Sequence, residues 1–143
     1  MNKPASLRDA IAAALPDLAA NPDKFLVFAD AGAIVATGTP SLSFEYRYTL
    51  NLILTDFAGD ADLVFVALIA WVQRHQSDLL NNPDKRARAI TFEVDHLNNA
   101  TCDLSIKLPL AETVRVTTGA DGAQVITHLQ EPRPEWETMG LGG

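Results

Sequence analysis

The sequence predicts an α+β domain: a mixed, mostly antiparallel sheet of about six strands with two helices packed on one face. Three observations predict it. The stretch SLSFEYRYTLNLILTDFAGD, residues 41–60, alternates apolar and polar side chains for about a dozen residues, as a long strand with one face on a core would. Leu7, Ala10, Ile11, Ala14, Leu15 and Leu18 recur at helical spacing, and a second, more apolar helical run follows the strand. Nearer the C-terminus, alternating runs flank an Asn98-Asn99 turn and read as a hairpin.

The first helix carries a variant capping pattern, Ser6 followed by Asp9, with a carboxylate near the positive end of the helix. Pro16 lacks an N–H and crowds the carbonyl of Ala12, so the helix ends or kinks there and a short helical turn restarts at Pro16. Asn21-Pro22-Asp23 closes the segment. Phe25 to Asp30 and Ala33 to Thr37 read as short strands about an Ala31-Gly32 turn. Gly38-Thr39-Pro40 then turns the chain into the long central strand. There Phe44, Tyr46, Tyr48, Leu50, Leu52 and Leu54 share one face. Glu45, Arg47, Thr49, Asn51 and Thr55 share the other, with Ile53 the only break.

Asp60 is placed to N-cap a helix from about Ala61 to His75, and Asp62 suits its macrodipole. Leu63, Val66, Ala67, Ile69, Ala70 and Val72 leave little polar surface, so most of this helix is expected to be buried. Asn81-Asn82-Pro83 is a stop signal. Ile90, Phe92 and Val94 alternate with Thr91, Glu93 and Asp95, and Cys102, Leu104, Ile106 and Leu108 alternate with Asp103, Ser105 and Lys107. Val114 and Val116 start another strand, Asp121-Gly122 is a turn dipeptide, and Gln124 to Leu129 returns. One domain is therefore expected over residues 1–130. Residues 131–143, with Pro132, Pro134, Glu135, Glu137 and a glycine-rich end, are expected to form a flexible acidic tail when the protein is alone.

Composition narrows the function classes. A chain of 143 residues with 48% apolar content builds one core. A net charge of −7 argues against a nucleic-acid binder that neutralises phosphates. The single cysteine, Cys102, forms no internal disulfide, and no signal peptide is visible, which points to the cytosol. The longest apolar run, Leu63 to Val72, is too short to span a bilayer.

No reaction is announced. Asp56, Asp60 and Asp62 have carboxylate spacing, but a calcium loop needs more oxygen ligands and a distal glutamate. His96, Cys102 and Asp103 flank a turn without any paired metal motif; Cys102 reads as a small core residue and His96 as exposed. His75 and His128 have no adjacent nucleophile motif, and Gly119-Ala120-Asp121-Gly122 is a turn, not a phosphate loop. No catalytic residue, cofactor or metal ligand is assigned. Four residues are candidates for an interaction surface: Glu45, Arg47 and Tyr48 on the central strand, and Trp136 in the tail. Tryptophan is costly to leave exposed and is enriched at interface hot spots.

The chain resembles the tail completion protein R family (GpR-type) of temperate phages with contractile tails. The resemblance rests on Asn21-Pro22-Asp23-Lys24, on Ile34-Val35-Ala36-Thr37-Gly38, and above all on Ser41-Leu42-Ser43-Phe44-Glu45-Tyr46-Arg47-Tyr48-Thr49-Leu50-Asn51. It continues through Thr55-Asp56-Phe57-Ala58-Gly59-Asp60, Ala70-Trp71, Asn81-Asn82-Pro83, Phe92-Glu93-Val94-Asp95 and Cys102-Asp103. It implies a tail-terminator-like fold and a morphogenesis protein, not an enzyme. Such a protein caps the head-proximal end of the tail tube and sheath, stops polymerisation and offers the surface on which the head docks. Its implied partners are tube and sheath proteins, neck or head completion proteins, and its own copies in a ring, hexameric because the tube is six-fold. The implied location is the virion, after assembly in the host cytoplasm. Neither a membrane nor sequence-specific nucleic-acid binding is expected.

Three other readings are weighed beside it. One is a head–tail joining protein of the neck, another is a small metal-dependent or hydrolytic enzyme with a site near His96 and Asp103, and the last is a host-directed adaptor.

Overall fold

In chain order the computed structural model, which describes residues 1–129, runs α1 (Lys3–Ala14), α2 (Pro16–Ala20), β1 (Phe25–Ala36), β2 (Phe44–Phe57), α3 (Ala61–His75), α4 (Asp78–Asn81), α5 (Pro83–Ala89), β3 (Thr91–His96), β4 (Cys102–Thr118) and β5 (Gln124–His128). The alternation in β2 becomes a two-faced central strand. Leu50, Leu52 and Leu54 are fully buried on one face, while Arg47 and Thr55 are exposed on the other. β1 and β4 flank β2, so it has no free edge. The sheet order is β1-β2-β4-β3, with β5 pairing the far half of β4.

Helices α1 and α3 cover the apolar face. Leu7 and Ile11 from α1, and Val64, Leu68 and Val72 from α3, have no accessible surface, and they meet Leu50, Leu52, Ile106 and Leu108 of the sheet. Trp71 is buried between the helices, and its indole Nε1 donates to Ser6 Oγ at 3.0 Å, which ties α3 to α1. The expected cap of α3 is present: Asp60 Oδ1 accepts from the Asp62 N–H at 2.9 Å. Pro16 splits α1 from α2 as its chemistry requires.

The expected α+β fold is observed: the described residues hold five strands, in keeping with about six expected, and every pairing among them is antiparallel. Within that fold the structure corrects several local readings. Two pairs of expected strands have merged. The expected Ala31-Gly32 turn lies inside one strand: Asp30 and Ala31 together oppose Thr49 as a β-bulge, with the register of β1 on β2 shifting between Ala29 and Gly32. Glycine is required there because a Cβ would lie 2.6 Å from the Arg47 carbonyl oxygen and 2.8 Å from Tyr48 Cβ. The run ending at Leu108 and the run from Val114 are likewise one strand, β4.

The two expected helices, α1 and α3, are joined by the short α2, α4 and α5. Helix α1 starts at Lys3, so Ser6 lies inside it and caps nothing; the Ser6–Asp9 pattern is not the N-terminus. Asn82 stops α4 but also starts α5, its Oδ1 accepting from the Asp84 N–H at 2.9 Å with Pro83 in the first turn. Helix α3 is not mostly buried. Leu63 (57%) and Val66 (64%) are exposed on its outward face, since nothing among the described residues forms a second layer there.

Turns follow the local signals. Asn98 Oδ1 accepts from the Ala100 and Thr101 N–H groups, closing the β3–β4 hairpin. Asp121 Oδ1 accepts from the Ala123 N–H, and Gly122 takes the positive φ that the β4–β5 turn demands.

Candidate interaction surface

A shaped surface among the described residues grows from an interruption in the sheet. On the side of β4 away from β2, β3 pairs as far as Lys107 and β5 as far as Val114. Between them the edge of β4 has no strand neighbour. The backbone groups that face this gap belong to odd-numbered residues: the Ala111 N–H donates to Gln76 Oε1 at 3.0 Å, and the Thr113 carbonyl accepts from the Leu129 N–H at 3.0 Å. Pro109 has the same parity. Its missing N–H therefore falls where no ladder partner exists, which is how a proline sits mid-strand without breaking it.

Side chains close the gap instead of backbone. Gln76, the C-cap of α3, is buried, and its Oε1 also accepts from Lys3 Nζ at 2.6 Å. Lys3 Nζ donates as well to the Ala111 carbonyl at 2.6 Å, and Gln76 Nε2 donates to Asp78 Oδ1 at 2.7 Å. A lysine and a glutamine thus stand in for one strand residue. The neighbouring position on the helix side is Glu112, which is buried. Its Oε1 accepts from the Asn2 N–H at 2.6 Å and the Lys3 N–H at 3.3 Å, and its Oε2 accepts from Tyr48 Oη at 2.7 Å. Glu112 does the work expected of a cap residue on α1: an anion at the helix N-terminus that accepts from its first amides.

Beside this plug, residues of α4 and α5 together with Glu45 and Arg47 of β2 line a groove of about 640 Å³. Its lining includes Leu79, Ala89 and Leu110, core residues at 5% exposure or less. Its rim carries six charges: Glu45, Arg47, Asp78, Asp84, Lys85 and Arg88. Arg47 Nε pairs with Glu45 Oε1 at 3.2 Å, and Lys85 Nζ with Asp78 Oδ2 at 3.4 Å. Arg88 and Asp84 have no ion pair among the described residues.

The structure brings three of the four sequence candidates to one place. Glu45, Arg47 and Tyr48 all line the groove. Their roles differ, however. Glu45 and Arg47 stand on the outer face, whereas Tyr48 lies on the core face at 7% exposure, bonded to Glu112. Burial first, and then the hydrogen bond and negative charge of Glu112, push the Tyr48 phenol well above the ordinary tyrosine range. Trp136 lies outside the described residues. Sequence reasoning missed Gln76, Lys3, Glu112, Lys85 and Arg88. A buried lysine three residues from the start carries no local signal, because its partners are 73 and 108 residues away.

Of the chemical candidates, His96 is exposed and faces Cys102 in the β3–β4 register, while Cys102 is half-buried against the core. Asp103 Oδ1 accepts from the Asp56 N–H at 2.9 Å, fixing the bulge at the end of β2 where Asp56 takes a positive φ. Among the described residues, no group of three or more histidine, cysteine, aspartate or glutamate side chains is placed to hold a metal ion.

Comparison with known proteins gives two findings. The profile of the family described as P2 phage tail completion protein R (GpR) matches residues 1–132. The tail completion protein R of Escherichia phage P2 is 42% identical over 134 residues, which cover 94% of this chain and 86% of that protein. No solved structure matches.

Proposed function

The chain belongs to the P2 phage tail completion protein R family, and from that membership we propose that it completes the phage tail by capping the head-proximal end of the tube and sheath. In this reading it stops polymerisation and presents the surface that receives the head. The observation that carries it is the similarity to tail completion protein R of Escherichia phage P2 over 94% of the chain. The copies work as a ring, hexameric to match a six-fold tube. Closure of such a ring needs two different patches on each subunit.

The surface supports this reading in physical terms. Leu63 and Val66 on the outward face of α3 form an apolar face of the kind that marks protein–protein contact. Glu45 and Arg47 offer a charged patch on the opposite side of the sheet, suited to fixing register between neighbours. Trp136 is the proposed anchor in the C-terminal segment, while Tyr48 supports the groove from beneath. A chain of net charge −7 also suits a ring that lets DNA pass without gripping it.

Immunogold labelling of separated half-particles tests the assignment. Label at one end of tails from a head-deficient lysate supports tail completion. Label on filled heads, with bare tails, would transfer the protein to the neck.

A further inference from the structure

We propose that copies of this chain join edge to edge, residues 32–36 of β1 in one subunit pairing antiparallel to β5 of the next. The inference rests on the ring reading above and names the strands that close the ring. Both strands are open at their outer edges among the described residues, since β1 ends the sheet and β5 pairs only with β4. They are also the two edges of the same stretch of sheet, because Ala36, Phe44, Val114 and His128 form one row across β1, β2, β4 and β5. Strand direction alternates along that row. With an even number of strands, a second copy laid beside the first in the same orientation sets its β1 antiparallel to β5.

The backbone of the two edges matches. The Ala111 N–H and the Thr113 carbonyl point away from β2, so the even-numbered residues of β4 bond to β2. Carried through the registers, Ala33 and Val35 bond to β2, while Gly32, Ile34 and Ala36 turn their backbone groups outward. By the same parity Gln124, Ile126 and His128 face outward from β5. One antiparallel register joins all of them: Gly32 to His128, Ile34 to Ile126, and Ala36 to Gln124.

That register also fixes the side chains. Ile34 and Ile126 are 58% and 63% exposed, and both lie on the helix side of the sheet, beside Tyr46 and Val116. Val35 and Val125, 36% and 54% exposed, lie on the outer side, beside Glu45 and Thr117. Across the joint Ile34 opposes Ile126, and Val35 opposes Val125. Every large exposed hydrophobic of the two segments gains a β-branched cross-strand partner.

Charge singles out these edges. Neither segment carries a lysine, a proline or a carboxylate, the residues that guard a free edge against pairing. The remaining open edge, β3, carries Glu93 and Asp95. At the other end of β1, Arg8 Nη1 occupies the Phe25 carbonyl at 2.7 Å. Pairing β1 with β1 would leave β5 bare, and pairing β5 with β5 would leave β1 bare. Joining β1 to β5 covers both, and a contact between two different edges repeats head to tail until it closes.

The test uses the purified full chain with Cys102→Ser, carrying either Val35→Cys or Val125→Cys. Both valines are exposed, so folding should survive, as circular dichroism will check. In the proposed register they form a non-hydrogen-bonded pair with Cα atoms about 4.5 Å apart, within reach of a disulfide. The two variants mixed and mildly oxidised at rising concentration should give a linked dimer, severalfold more abundant than from either alone. A chain with both cysteines should give a ladder longer than a dimer, and Ile126→Lys should reduce the link to the level of the separate variants. The role in tail completion is read independently, from particles made without the protein, so failure here would leave that reading standing. Dimers from Val35→Cys alone would place β1 on β1, and dimers from Val125→Cys alone β5 on β5; either would overturn the proposal. So would a link that survives Ile126→Lys, or no link at any concentration.

Discussion

Tyr48 Oη donates to Glu112 Oε2 at 2.7 Å, joining the central strand to the carboxylate that holds the start of α1. Replacing Tyr48 with Phe removes one buried bond to a charged group while Glu112 keeps its two backbone donors. The expected loss is about 1–3 kcal/mol in urea unfolding. Glu112→Ala should cost more, because the Asn2 and Lys3 amides and the Tyr48 hydroxyl all lose their acceptor together.

The same pair sets an alkaline limit. Burial and Glu112 raise the Tyr48 phenol above its ordinary value in the folded state. Its contribution is therefore fully present below the unfolded tyrosine pKa, about 10, and is lost as the pH climbs beyond it. Unfolding midpoints followed from neutral to strongly alkaline pH should fall for the natural protein and fall less for Tyr48→Phe. Parallel curves for the two would refute the linkage.

Gln76→Leu should destabilise the fold by about 2–4 kcal/mol, since the Ala111 N–H loses its acceptor and Lys3 Nζ one of its acceptors in a buried site. Hydrogen exchange offers a local check: the Ala111 amide should exchange much faster, while the Leu52 and Ile106 amides on fully paired strands change only with global stability. Equal protection of Ala111 in both proteins would show that the plug is not Gln76.

Gly32→Val should cost about 1–3 kcal/mol, as overpacking does, because a Cβ collides with the Arg47 carbonyl and Tyr48 Cβ. A circular dichroism melt measures it. By contrast Val66→Asp, on the outward face of α3, should leave the melt of the isolated subunit within about 0.5 kcal/mol yet abolish complementation of a null mutant.

Much of this architecture is legible along the chain because its causes are local. The alternation from Phe44, the Asp60 cap, the Asn98 turn and Asp121-Gly122 each act through neighbours a few residues away, and each appears where its chemistry puts it. The misreadings have tertiary causes. Ala31-Gly32 has the composition of a turn, but the close approach of the Arg47 backbone is what demands its glycine. Pro109 interrupts an alternating pattern, yet its missing N–H points at a gap in the sheet that no local sequence announces. The apolar outward face of α3 reads as buried because hydrophobicity alone does not tell a core from a contact surface. The groove is invisible for the same reason: Arg47, Lys85 and Pro109 come from separate stretches that only the fold assembles. The family resemblance, carried chiefly by the central strand, supplied what local chemistry did not.

The central claim is that this protein completes the tail, and negative-stain microscopy of an induced lysate carrying a nonsense mutation in its gene tests that most directly. The account predicts filled heads beside unattached tails that are overlong or unstable, corrected when the wild-type protein is supplied. Normal, infectious particles in the mutant lysate would contradict it.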